Sequence, residues 1–368
     1  MTFSERIAGW REKLRHRWMY RRGDGSASPS AASHSAASSG AAPSGPGLAA
    51  RMAGLFAVLN RPGAGAMVKR GLIALLVFIA LYYPVGMFVV HKVDDDLDFA
   101  PSAADSIEGG SVAVAYAAAL IDREVNTHSW TANDPFFQPG VALDNMPNFQ
   151  QGIMSALARF GFELTDQLGR TRGSSEADPD LQRAAGLLQY PGNVWIWNPS
   201  VSLAPRASSE SQYRDAREKL LAYNRRLAAG NANYDIRADN LLATLERFAA
   251  DLGSSSALID RHVTEEAGSF FDGQADDIFY FTKGKLYGYH MVLTGLGQDF
   301  ERIIAERNLQ KSWDEMMDSF RKAALIDPWV VTNGAPDAQF QPNHLAMQGF
   351  YLMRARTQLR EVSNILLK

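Results

Sequence analysis

Apolar and polar positions divide this chain into three regimes. At the start, Phe3, Ile7, Trp10, Leu14 and Trp18 recur at spacings of three and four, and Arg6, Arg11, Lys13, Arg15 and Arg17 fill the positions between them. On a helix these apolar residues form one stripe on an otherwise basic surface. Such a helix lies in the headgroup layer of an anionic leaflet, so Trp10, Leu14, Trp18, Arg11 and Arg15 are the expected membrane-surface residues. From Gly71 to Val90 the pattern vanishes, because none of the residues is charged. A helix of that length spans about 30 Å, the hydrocarbon thickness of a bilayer.

Beyond Asp94–Asp96 the three-and-four spacing returns and predicts a series of helices: about 111–126, 148–168, 178–189, 209–229, 236–252, 256–267, 274–308, 310–326 and 343–367. Residues 274–308 read as one helix, or as two joined near Gly295–Gly297. The short break at Ala229–Asn231 predicts that the helices flanking it form an antiparallel pair. Only Tyr190–Ser200 reads as strand-like, and Pro/Asn/aromatic loops are expected at 131–147 and 328–342. The expected fold class is therefore all-α: a single transmembrane helix followed by an extracytoplasmic multi-helix bundle with long antiparallel helices.

Composition adds a boundary. Residues 23–50 are dominated by Ser, Ala, Gly and Pro, which makes a flexible linker. The expected organisation is a basic amphipathic segment (1–22), a linker and juxtamembrane segment (23–70), a transmembrane helix (71–91), an acidic stalk (92–108) and a helical periplasmic domain (109–368).

Charge gives the direction of insertion. The net charge of −3 hides an asymmetry, with 11 Lys/Arg against 3 Asp/Glu up to residue 70 and the acidic excess after it. Lys69 and Arg70 precede the apolar run, which places the N-terminus in the cytoplasm and the body outside the inner membrane. The run is too long for a signal-peptide core and reads as an uncleaved anchor. A basic head and an acidic body argue for contact with membrane lipid and against nucleic acid. The chain has no Cys, which excludes disulfides, thiolate metal sites and a thiol nucleophile.

Candidate chemistry is sparse. His262 and Glu266 lie one helical turn apart, with Asp272, Asp276 and Asp277 following, but a solvated helix end explains them better than a metal site. Trp195 and Trp197 would share one side of an extended segment, either as a platform for a sugar or as a plug between helices, and the plug is favoured. Tyr280, Lys283 and Tyr287 belong to an aromatic-basic stretch interrupted by Gly284 and Gly288. That stretch reads as a partner face or, in preference, as a core helix whose Lys stems snorkel. No nucleotide, hydrolase or kinase motif is present, and no cofactor is implied.

Three segments carry a resemblance: Asn193–Pro199 (NVWIWNP), Ala275–Gly284 (ADDIFYFTKG) and Asp327–Trp329 (DPW), all following a proline-containing apolar helix. This pattern resembles a proteobacterial family of membrane-anchored proteins known as domain-of-unknown-function family 2333, over roughly Leu72 to the C-terminus. The resemblance implies no activity and no catalytic residues. The leading expectation is a single-pass inner-membrane protein with a non-enzymatic periplasmic scaffold or interaction module, whose partner is an envelope protein or a second copy. The alternative is a glycan-binding or glycan-cleaving envelope protein, which would need an open groove holding two carboxyls.

Overall fold

The computed structural model describes residues 63–169, 177–266, 268, 272–335 and 338–368. The expected surface helix over 1–22 and the linker that follows it lie outside the described residues.

Among the described residues there are ten α-helices and no strand. They are α1 (Ala64–Val90), α2 (Val112–Asp122), α3 (Asn145–Glu163), α4 (Pro179–Leu188), α5 (Ser209–Ala228), α6 (Ala238–Glu265), α7 (Gly273–Asp299), α8 (Glu301–Glu306), α9 (Gln310–Ala324) and α10 (His344–Leu366). Helix α1 starts seven residues before the uncharged run and contains Pro84. It is long and apolar enough to cross a membrane, and none of its apolar window is buried against protein.

The bundle is built around α7. From Ile278 to Leu296 nearly every residue of this helix is buried, as expected of a helix enclosed on all sides. Helices α2, α3 and α9 pack against it, α6 pairs with α10, and α4 pairs with α5. Glycines let the central helix be approached this closely. A methyl group built on Gly284 would fall 2.0 Å from the Phe149 carbonyl oxygen, and one on Gly152 of α3 would fall 2.1 Å from that of Phe281. Gly295 stands in the same relation to the backbone of Ala113 in α2. Around these crossings pack rings such as Phe149 against Tyr287 and Phe248 against Tyr289.

Side-chain caps set several helix starts. The Ser111, Asp178, Asp272 and Asn343 side chains each accept a hydrogen bond from a backbone N–H in the first turn of the following helix. Helices α2 and α3 both end in one wider π-helical turn, at Arg123–Thr127 and Leu164–Leu168.

Four expectations are corrected. The strand-like segment 190–200 is a series of turns held by local hydrogen bonds, such as that from the Val194 N–H to Ser209 Oγ. Residues 238–265 form one helix rather than two. The long helix breaks at Phe300, past its central glycines, because those glycines serve packing rather than a turn. Helices α5 and α6 do not pair with each other. The segment between them is drawn across the end of α7, where the Tyr223 hydroxyl donates to the Asn233 carbonyl and the Tyr234 hydroxyl donates to Asp299.

Candidate functional site

A dense polar network lies where α1 joins the body. On leaving the helix, the chain runs as an extended segment along α7, and Val93, Leu97 and Phe99 pack against the core. Three consecutive aspartates lie between Val93 and Leu97, and each meets a different partner. Asp94 Oδ2 is 3.3 Å from His128 Nε2, and Asp94 Oδ1 is 3.7 Å from Arg123 Nη1. Asp95 Oδ2 is 2.9 Å from Lys283 Nζ. The Asp96 carbonyl accepts from the Tyr287 hydroxyl at 2.7 Å.

Arg123 is the hub. Its guanidinium is paired with the fully buried Glu124 at 2.7 Å, donates to the Tyr287 hydroxyl at 2.7 Å, and sits over the rings of Phe99 and Tyr287. In a regular helix Arg123 and Glu124 would point about 100° apart. The π-helical turn at Arg123–Thr127 accompanies an arrangement in which both are buried. The amide of buried Gln150 then donates to the Glu124 and Ser129 carbonyls, and its oxygen accepts from Thr131. Ser129 stands at φ +67°, a left-handed conformation rare for a residue with a Cβ.

The charges tune one another. The His128 hydrogen bond, helped by Arg123, holds the Asp94 carboxyl well below the usual carboxylate range, against the effect of burial. Asp94 and then Glu124 raise the His128 imidazole above its ordinary value.

A second device ties the loop 131–143 to α1 itself. The hydroxyls of Tyr82 and Tyr83 donate to the carbonyls of Phe137 and Phe136 at 3.1 and 2.5 Å. Pro139 packs against Gly86 so closely that a methyl group there would fall 2.5 Å from its ring.

Beside this contact lies an open, mostly polar cleft of about 460 Å³, bordered by Val90, Trp130, Asp134, Gln138, Glu210 and Arg214. Asp134 is pushed up to about 6, first by burial and then by the charge of Glu210. Glu210 accepts from the Asn133 amide at 2.6 Å, and Arg214 donates to Asn126. The cleft therefore holds a protonatable carboxyl next to a hydrogen-bonded one.

The residues singled out from sequence are dispersed. Tyr280, Lys283 and Tyr287 are buried on α7. Lys283 does not snorkel: its side chain is fully buried, and its ammonium meets Asp95 and, at 3.1 Å, Asp327. Trp195 is half-buried and lies 5.7 Å from the Phe137 ring, so it packs on the loop that touches α1. Trp197 is exposed and donates to the Leu203 carbonyl rather than plugging the bundle. His262 pairs with Asp272 at 2.7 Å, which joins the end of α6 to the cap of α7. No group of three metal-ligating side chains occurs among the described residues. Asp276 is raised to about 6 by burial and by Asp144 and Asp277.

Sequence reasoning missed Arg123, Glu124, His128, Gln150 and Asp134, which stand in no recognisable motif. The one available signal was the charged run Asp122–Glu124 directly after the alanine-rich run Ala113–Ile121, whose residues are all buried.

No curated protein and no solved structure matches this chain. The model of a family described as "uncharacterized protein conserved in bacteria (DUF2333)" matches residues 65–270. The match takes in α1 from Gly65, the cleft, the NVWIWNP segment and the junction residues up to Gln150, while Lys283 and Tyr287 of the junction and the segments at 275–284 and 327–329 lie beyond it. On a match to more than half of its length, the chain belongs to this uncharacterized bacterial family.

Proposed function

We propose that this chain is a single-pass protein of the bacterial inner membrane, with its N-terminus in the cytoplasm and its helical body in the periplasm. The body works as a non-enzymatic scaffold or interaction module. The observation that carries this reading is the joint between α1 and the body. An enzyme acting on a diffusing substrate needs only a tether. Here Tyr82, Tyr83 and Gly86 hold one loop against α1, and Asp94, Asp95 and Asp96 are each bonded into the bundle. Such a joint holds a surface at one height and one orientation over the membrane, which is what a partner-presenting module requires.

Lys69 and Arg70 before the apolar run support the orientation. Alkaline phosphatase fused after residue 110 should be active, and fused after residue 60 inactive. The opposite pattern would overturn the topology. In-cell crosslinking from the body should trap a defined envelope protein or a second copy. A body that crosslinks to nothing above background refutes the module reading.

The cleft favours one competing reading, a glycan site using Asp134 and Glu210. It is tested by titrating peptidoglycan fragments into the full-length protein, with the Asp134→Asn variant as control. Binding that this substitution abolishes would favour it over the scaffold.

A further inference from the structure

We infer that the loops 135–143 and 194–206 form a lipid-docking surface, seated in the interfacial layer of the bilayer around the point where α1 leaves it. The inference rests on the membrane-spanning reading of α1 given above.

Position is the first argument. Tyr82 and Tyr83 lie eight and seven residues before the end of α1 at Val90. At about 1.5 Å per residue, the Phe136 and Phe137 carbonyls they bind are held about 10–12 Å back along the helix from its end. The loop is therefore fastened beside the apolar run rather than beyond it. Tyr is also the residue type that collects at the membrane–water boundary.

Exposure is the second. Phe136 and Leu203 are each 81% exposed, and Phe137, Ile196, Trp197 and Val201 are also exposed. The two loops are joined by the ring contact of Phe137 with Trp195. Trp329 and Phe340 in the loop 328–342 and Phe350 and Met353 on α10 are exposed as well, so it is the attachment to α1 that singles out these two loops, and an apolar patch of this kind calls for a cover.

Charge is the third, and it selects the occupant. Residues 135–143 contain no charged residue and residues 187–205 contain none, although the chain beyond residue 70 is acidic. The first charge after that stretch is Arg206, an exposed cation whose Nε donates to the Trp195 carbonyl. An uncharged aromatic rim, with Arg206 at the edge of one loop and Asp134 and Asp144 bounding the other, fastened to a helix inside the bilayer, suits phospholipid acyl chains under zwitterionic headgroups.

The absence of Cys allows a clean test. Single Cys variants Phe136→Cys, Leu203→Cys, Val77→Cys and Arg302→Cys of the full-length protein are nitroxide-labelled and reconstituted in phosphatidylethanolamine/phosphatidylglycerol bilayers. Collision with oxygen, which partitions into lipid, is compared with collision with an aqueous nickel chelate. The expected oxygen-to-nickel ratio at 136 and 203 approaches that at 77 and exceeds that at 302 several-fold. If 77 reads as lipid while 136 and 203 read like 302, the docking inference falls and the membrane-spanning reading stands. If 77 itself reads as water, the spanning reading fails and takes this inference with it. Labels at 136 and 203 shielded from both reagents would mean a protein partner or second copy covers the loops, and would equally overturn the lipid assignment.

Discussion

Replacing Gly284 by Ala tests whether the crossing of α3 and α7 organises the bundle. The new methyl carbon would sit 2.0 Å from the Phe149 carbonyl oxygen, where real Cβ contacts essentially never fall below 3.0 Å. The obstacle is helix backbone, so no side chain can swing away. The two helices must part by about 1 Å, and a gap of that size forfeits a quarter to a half of the dispersion energy of the contacts it opens. Gly152 and Gly288 share the same crossing and would lose their contacts with it. Overpacking typically costs about 1–3 kcal/mol, and a rigid obstacle belongs at or above the top of that range. Against it stands the helix propensity gained on replacing Gly by Ala, about 1 kcal/mol. The net expectation is a destabilisation of about 2–4 kcal/mol. Gly186→Ala is the control, since nothing lies within 4 Å of a methyl group at that position of α4. It should gain up to about 1 kcal/mol. Guanidinium unfolding of the full-length protein in detergent, followed by near-UV circular dichroism, reads both. Equal stability of Gly284→Ala and wild type, or shifts of the same sign for the two variants, would refute the reasoning.

Three further outcomes follow from the buried charges. Lys283 is fully buried between Asp95 and Asp327, which are 30% and 70% exposed, so either acid alone should be dispensable. Asp95→Asn combined with Asp327→Asn strands the ammonium and should cost about 3–5 kcal/mol, whereas Lys283→Met should be near neutral; unfolding midpoints for the set decide it, and an additive double variant counts against the triad. His128 has a raised folded pKa, so its contribution is complete below about pH 6.5 and fades as pH rises through the folded value. His128→Asn should therefore flatten the alkaline side of the stability profile, and an unchanged slope there would show that the Asp94 pairing adds nothing. His290 behaves oppositely: burial and Arg321 lower it to about 4, so the unfolded chain takes up the proton first as pH falls. Stability should drop by about 3 kcal/mol between about pH 6.5 and 4 on this group's account, and His290→Gln should remove that part of the slope.

The helices were legible because their signal is local. Buried positions such as Leu241, Leu245, Phe248 and Leu252 on α6, or Leu345, Leu352, Leu359 and Val362 on α10, recur at the helical period, so each element announces itself within about twenty residues. The glycine pair on α7 was legible for a related reason, since four-residue spacing puts both on the face that meets α3. Pairing was not legible. A short connection suggests an antiparallel hairpin, but the path of 229–237 is decided by where Tyr234 and Asp235 find partners, on α7 and at Leu168, and by the Tyr223 hydroxyl of α5, which donates to the Asn233 carbonyl. A tyrosine that will bond a carboxylate sixty-five residues away looks like any other tyrosine on the page.

The joint at the base of α1 was hidden by its own construction. Asp94, Asp95 and Asp96 read as a solvated acidic stalk because three adjacent carboxylates ordinarily repel one another into water. They are held close to the body because the Asp94 and Asp95 side chains each meet cations of the bundle, while Asp96 is held through its backbone carbonyl. Their partners come from different elements, Arg123 and His128 from the end of α2, and Lys283 from α7. The arrangement neutralises locally a charge that the composition shows only as an excess. It also explains why an acidic segment follows an apolar helix directly, with little flexible spacing. A spacer would let the body tumble, and the six bonds made by Tyr82, Tyr83, Asp94, Asp95 and Asp96 act together only if the chain between them is short. Lengthening that chain by a few Gly residues after Lys92 should therefore leave the bundle folded while separating it from α1, and a crosslink between residues 83 and 136 would report the loss.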